Sequence, residues 1–323
     1  MKKLRYICAQ PAILYYTWQV EVLINNFIKM GVNPNYIDIV CGIENNDIPL
    51  EWQKLMNHYN YVRFFFYNDT RVTKNYISSI RPNILKQHFK QYPTLKAETI
   101  FYHDCDIIFT KPISDWITDD MINDDKWYGS DTRWYVGHSY IKSKGEGVLD
   151  KMCDIVNISK KMIEENENNT IGAQYLMKDI DYTFWDTVER DSENLFRDIT
   201  ELNNQKKQID PSYHELQIWC ADMWAVLWNA WKMGYETTSD KRLDFGWVTN
   251  PITDVEKYTI LHNAGVVADP DNIHSYTNGL FYKGNFINEL PYNKELTINE
   301  NYASSFYWKE ICETAKKSCL IEH

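Results

Sequence analysis

The chain predicts an α/β fold: a mostly parallel central sheet flanked by helices, followed by a helix-rich C-terminal half. Three observations lead there. Through the first 130 or so residues, short apolar runs alternate with amphipathic stretches of helical period. The apolar runs have too few polar breaks for strands with one wet face, so their sheet is expected to be covered on both sides. And 323 residues suit one large α/β domain or two smaller ones, with ample surface to bury.

"LRYICA" (4–9) reads as the first strand. "TWQVEVLINNFIKMG" (17–31) reads as an amphipathic helix, with Val20, Leu23, Ile24, Phe27 and Met30 on one face and Gly31 as its stop. "YIDIVCGI" (36–43) and "YVRFFFY" (61–67) are the next strands, and "SIRPNILKQHFKQY" (79–92) is a helix with an early proline. "TIFYHD" and "KWYGSD" (126–131) follow as strands. The segments 148–166, 181–202 and 214–234 read as helices, 257–265 as a late strand and 302–317 as a closing helix. "ENENN" (165–169) is the best candidate surface loop.

Composition narrows the function classes. The formal net charge of -11 argues against holding nucleic acid by bulk electrostatics. Aromatics make up 15%, which is a weak pointer to sugar rings, although most such residues fill cores. The seven cysteines form no CxxC pair, so zinc-ribbon and thioredoxin-like sites are not expected; reduced core thiols in a cytoplasmic protein are. No run is apolar and long enough for a membrane span or a signal peptide. Dinucleotide, P-loop, zinc-protease and serine-hydrolase signatures are absent from the sequence.

The most informative stretch is "ETIFYHDCDIIFTKPISDW" (98–116). If it is one extended strand, Asp104 and Asp106 project to the same side, with Cys105 on the other. Two unpaired carboxylates at the end of a buried sheet cost too much, so a positive partner is required. A divalent cation, Mn2+ or Mg2+, suits these hard oxygen ligands, and strand carboxyl ends are where open α/β sheets bind ligands. The bland alternative is a pair of turn-capping aspartates.

"IFYHDCDIIFTKPI" resembles the DxD strand of the GT-A-fold glycosyltransferases. "YYTWQVEVLINNF" (15–27), "IGAQYLMK" (171–178), "IWCADMWAVLWNAWKMGYE" (218–236) and "ILHNAGV" (260–266) are similar, in order, to segments of hydroxyproline arabinosyltransferases, peptidyl-serine galactosyltransferases and related bacterial and phage enzymes. The resemblance covers about residues 4–266. It implies a glycosyltransferase domain over 1–266, with a nucleotide-sugar half to about 135 and an acceptor half over 136–266, then an extension over 267–323. It also implies a nucleotide-sugar donor, with a UDP-sugar expected, and transfer with retention.

Residue by residue, the resemblance makes His262 the third metal ligand, which tilts the choice toward Mn2+; on its own residues His262 is as well a satisfied turn histidine. Arg81 and Lys86 fall in a basic element before the DxD and are expected to touch diphosphate or sugar, unless they form a solvated charged face. Asp131 is expected to face the sugar, or else to cap a turn. Gln174 offers a donor and an acceptor for sugar hydroxyls, with Gly172 and Ala173 allowing close approach. Asp222, alone on an apolar helix, is a candidate for contact with sugar or acceptor or for general base, with a raised pKa expected; its alternative is a buried structural hydrogen bond, and Glu215 is a weaker rival. Ala9, Gln10 and Pro11 end the first strand, where the fold grips the nucleoside. The acceptor stays open: a protein or glycan hydroxyl, or a hydroxymethylated base in phage DNA. A non-catalytic nucleotide-sugar or carbohydrate-binding protein is the alternative class. The expected compartment is a bacterial or virus-infected cytoplasm.

Overall fold

The computed structural model describes residues 2–264 and 279–321. The first strand, β1 (Leu4–Pro11), buries six consecutive residues, as a strand covered on both faces must. β2 (Ile37–Ile43) is buried along its whole length and pairs with β1 in parallel. β3 (Arg63–Asn68), β4 (Thr99–Tyr102), β5 (Ile107–Phe109) and β6 (Trp127–Asp131) follow. β7 (Ile171–Lys178), β8 (Thr237–Ser239), β9 (Phe245–Trp247) and β10 (Ile260–His262) complete the set. Seven strands form one mostly parallel sheet in the order β3-β2-β1-β4-β7-β6-β8, and three form a second in the order β5-β10-β9. β7 runs antiparallel to both of its neighbours.

Backbone contacts group the chain into two compact units. The first holds Met1–Leu4, Tyr67–Tyr102 and Asp120–Lys241; the second holds Arg5–Phe66, His103–Asp119 and Arg242–His323. In the first, the long helix Tyr182–Ile209 packs against the helices Ile80–Gln91 and Ala221–Lys232. In the second, the helix Leu14–Lys29 packs on β5 and on the helix Ser304–Ala315. A core of Trp18, Val22, Ile108, Leu261, Phe281, Phe286, Tyr307 and Ile311 joins them. Glu21, wholly buried in Leu14–Lys29, accepts hydrogen bonds from the hydroxyls of Tyr292 and Ser318 (2.7 Å each) and of Tyr59 (3.3 Å), and from the Cys319 N–H (3.2 Å). Among the described residues, no helix is long and apolar enough to cross a membrane.

Several expectations change in detail. The strand carrying the aspartates ends at Tyr102; Asp104, Cys105 and Asp106 form a turn before β5, which belongs to the other sheet. Strand alternation therefore does not set where the two carboxylates point, and Cys105 is buried in that turn rather than on an opposite sheet face. The helix expected over 148–166 is two, Val148–Val156 and Lys160–Glu165. Asn157 turns left-handed (φ 56°) and ends the first, and the Ser159 side chain accepts from the Met162 N–H to start the second. The helix expected from 214 begins at Ala221, and the one expected over 181–202 continues to Ile209 from its cap at Asp181. Gly31 lies just past the end of the first helix with φ 90°, a geometry that favours glycine there. The late strand is only Ile260–His262, and Gly265 and Val266 of its motif lie outside the described residues.

Candidate metal centre and candidate active-site residues

The second unit brings Asp104, Asp106 and His262 together. β10 pairs antiparallel with β5 so that His262 stands opposite Ile107, the residue after Asp106. The Asn263 N–H then donates to the Asp106 carbonyl (2.9 Å), locking the end of one strand to the start of the other. Phe245 and Trp247 flank the His262 ring, the indole stacked at 5.6 Å. His262 Nε2 lies 3.1 Å from Asp106 Oδ1 and 3.4 Å from Asp104 Oδ2. One donor atom from each residue falls within 4.8 Å of the others.

This set fits a small divalent cation. An octahedral ion with ligands at about 2.1 Å holds adjacent ligand atoms about 3 Å apart, close to the spacings here. Two carboxylates with one imidazole suit Mn2+ at least as well as Mg2+. Asp104 is the more open of the pair, its side chain 27% exposed against 8% for Asp106.

The turn is braced from inside. His103 is buried beside Phe27, and its Nδ1 donates to the Asp104 carbonyl (2.9 Å). Burial pushes its imidazole down to about 4, so the ring is neutral near pH 7.

Lys283 is the residue that sequence reading missed. Its ammonium is buried and donates to Asp106 Oδ2. Burial works to raise the Asp106 carboxyl, but Lys283 and then His262 overcome it and hold it well below the usual carboxylate range. Burial likewise works to lower the Lys283 ammonium, and Asp106 more than offsets this, so its pKa is raised. The signal was present in "LFYKGNF": a lysine among Phe281, Tyr282 and Phe286 needs a buried anion.

Gln10 in the second unit turns inward, its amide donating to the Val40 carbonyl (3.2 Å) and Cys41 Sγ (3.3 Å). Ala9 is buried and Pro11 half-buried at the strand end.

The first unit gathers the other candidates. Asp222 is not the lone carboxylate expected from sequence. The Tyr76 hydroxyl donates to its Oδ1 (2.6 Å), and Arg81 Nη2 donates to its Oδ2. Arg81 thus has a carboxylate partner, so its expected contact with diphosphate or sugar would share that guanidinium with Asp222. Lys86 bridges to Glu189 (2.6 Å) and Asp186 (3.2 Å) on the long helix, which is the structural alternative for that residue. Glu215 pairs with Lys207 on an exposed surface.

Gln174 is completely buried, and neither its amide oxygen nor its nitrogen has a partner among the described residues. Its backbone is unusual too. β6 and β7 pair Gly129 with Tyr175 but Ser130 with Gly172, leaving Ala173 and Gln174 bulged out of the ladder. Ala173 sits left-handed at φ 62°, strained for a residue with a Cβ. Gly172 is wedged in place: a Cβ there would fall 2.5 Å from Met223 Cε and 3.0 Å from Thr132. That contact sets the bulge beside the neighbours of both Asp222 and Asp131. Asp131 is forked to Arg133 (2.6–3.1 Å), whose guanidinium lowers the carboxyl's pKa.

No protein-family model matches the chain, and no curated protein sequence matches it. Solved structures do. The bifunctional glycosyltransferase WbbM aligns over 98% of this chain and 52% of its own, at 10% identity and a TM-score of 0.50. GlyE of Streptococcus pneumoniae TIGR4 aligns over 98% of this chain and 63% of its own, at 11% identity and TM-score 0.43. An active-site mutant of LgtC aligns over 83% and 89%, at 13% identity and TM-score 0.43. The chain spans about half the length of WbbM, the one of these three whose score supports an argument about fold. What it shares with that enzyme is architecture: the chain is built like the GT-A glycosyltransferases, with a DxD-like pair and a histidine gathered where a metal can sit.

Proposed function

We propose that this chain transfers a sugar from a nucleotide-sugar donor to an acceptor hydroxyl, using a divalent cation held by Asp104, Asp106 and His262. The observation that carries this reading is the convergence of those three side chains on a GT-A-like scaffold. When bound, the cation supplies Lewis-acid stabilisation of the departing nucleoside diphosphate. Asp104 and Asp106 hold hard-cation ligand positions, and His262 adds a neutral nitrogen. Lys283 keeps Asp106 ionised and in place without any cation.

Gln174, buried at the bulge, supplies an amide with both donor and acceptor capacity and no hydrogen-bond partner among the described residues. Asp222, oriented by Tyr76 and Arg81, is the carboxylate proposed to contact donor sugar or acceptor. Asp131 is proposed to meet sugar. The motif resemblance to hydroxyproline arabinosyltransferases and peptidyl-serine galactosyltransferases supports a UDP-sugar, Mn2+ and retention. The net charge of -11 weighs against a DNA acceptor.

The test is incubation with Mn2+ and a panel of UDP-, GDP- and TDP-sugars, reading nucleotide release with and without Asp104→Asn. Release from one donor, abolished by the variant, supports the proposal. Equal release by the variant would sink the metal reading.

A further inference from the structure

The first unit contains an open cavity of about 590 Å³ lined by Asp131, Arg133, Trp134, Ser139, Tyr140 and Glu167 among others. It is a shallow site, open to solvent, so a ligand there would lie against one wall rather than be enclosed. Its most telling wall is Trp134, which is 65% exposed although its helical neighbours Tyr135 and Val136 are buried. The exposure is built in. The Trp224 indole N–H donates to the Val136 carbonyl (2.8 Å), fixing this short helix to the core with Trp134 turned outward. A large apolar ring exposed beside a cavity, on backbone anchored to the core, is a platform for a flat partner.

The polar groups define that partner further. Arg133, the cation of the lining, is forked onto Asp131 and also donates to Asn168 Oδ1 (2.8 Å). Glu167 accepts from the backbone N–H groups of His138 (2.6 Å) and Ser139 (3.1 Å). A Cβ on Gly137 would lie 3.0 Å from Glu167 Oε2 and 2.6 Å from the Arg133 carbonyl, so glycine makes room for this carboxylate. The charged groups are therefore engaged with one another or with backbone, and the lining bears no excess of positive charge for a phosphodiester backbone. What remains is a set of fixed planar groups and hydroxyls beside an aromatic face. The matching chemistry is a neutral molecule with one C–H-rich face and many hydroxyls.

We infer that this cavity binds a saccharide, stacked on Trp134 and hydrogen-bonded along the Asp131–Arg133 fork, and that the acceptor is a glycan rather than a protein hydroxyl or a DNA base. The second half of that statement rests on the glycosyl-transfer reading; the binding site itself does not.

The experiment is saturation-transfer-difference NMR on the full chain with lactose, cellobiose, maltose and chitobiose, run beside the nucleotide-release assay. At least one disaccharide is expected to receive saturation on its ring C–H protons. Trp134→Ala is expected to weaken that binding by about five- to tenfold and Trp134→Phe to restore most of it. Melting temperature and metal-dependent release without acceptor should stay unchanged in both variants. The inference is overturned if no disaccharide in the panel binds, if Trp134→Ala binds as well as wild type, or if duplex DNA or an unglycosylated serine-rich peptide displaces the sugar and is itself the better acceptor. Nucleotide release without saccharide binding would leave glycosyl transfer standing and remove this site. Saccharide binding without turnover of any donor would do the reverse.

Discussion

His262 Nε2 lies 3.1 Å from Asp106 Oδ1 because β10 sets His262 opposite Ile107, with the Asn263 N–H fastened to the Asp106 carbonyl. The two aspartates differ in their duties. Asp106 is buried against Lys283 as well as His262, whereas Asp104 is partly open. Asp104→Asn should therefore weaken Mn2+ binding at least about tenfold, read by electron paramagnetic resonance, with little change in melting temperature. Asp106→Asn should weaken it too, and should also destabilise the fold by about 3 kcal/mol, because it leaves a buried ammonium unpaired. Equal melting curves for the two variants would refute this division.

Lys283→Met removes the ammonium from Asp106. Without metal, Asp106 then keeps His262 as a hydrogen-bonding side-chain neighbour but loses the ammonium that offsets its burial. The variant is expected to melt lower than wild type in EDTA, by an amount corresponding to about 3 kcal/mol. Saturating Mn2+ should recover more stability in the variant than in wild type, since a ligand that binds only the folded state stabilises by mass action. Calorimetric scans with and without Mn2+ check both halves.

Gln174 lacks partners among the described residues, so removing its amide should not cost the fold a hydrogen bond. Gln174→Met, close in volume, is expected to raise stability by about 1 kcal/mol in urea unfolding. The same change should lower sugar transfer at least about a hundredfold if the amide serves the reaction. A variant that is less stable and fully active would show the amide to be structural.

Asp69, in the first unit, gives a pH dependence of its own. Burial works to raise its carboxyl, but Arg71, forked onto it at 2.9 Å, and Lys74 at 3.0 Å hold it well below the usual carboxylate range. A folded-state pKa below the unfolded value of about 3.9 stabilises fully above that pH, and the contribution fades as pH falls toward the folded value. Asp69→Asn should be about 2 kcal/mol less stable than wild type at pH 7, with the gap closing below about pH 4. Denaturant titrations of both proteins at pH 7, 4 and 2.5 check the sign.

Much of the fold was legible because its strands are long, apolar and flanked by clear helical periods. β1, β2 and β3 and the helices around Leu23 and Leu85 follow from pattern alone. The three-residue strands β8 and β9 span too little for a period to register, and β5 reads in sequence as the continuation of the aspartate strand rather than as a strand of its own. β7 was noticed for its Gly-Ala-Gln and not for its strand, because the bulge at Ala173 breaks the alternation that would announce it. Asp104 and Asp106 were legible as a pair because their cost of burial is visible in one dimension. Their true geometry, a turn between two sheets, depends on a partner strand 156 residues away and was not. Lys283 and Tyr76 were missed for the same reason: each is defined by the carboxylate it meets, and no local pattern names that carboxylate.

The spread of the metal centre along the chain has a consequence for how the protein is made. His262 follows Asp106 by 156 residues and Lys283 follows it by 177. At roughly 5–20 residues per second, a ribosome needs about 10–35 seconds to go from the acidic pair to the lysine that neutralises it. Until His262 is added, 156 residues on, the nascent chain carries both carboxylates with neither imidazole nor ammonium, and between His262 and Lys283 it has the imidazole alone. A free divalent ion or a chaperone can meet them in that window, and the native cup closes only after the late segments arrive.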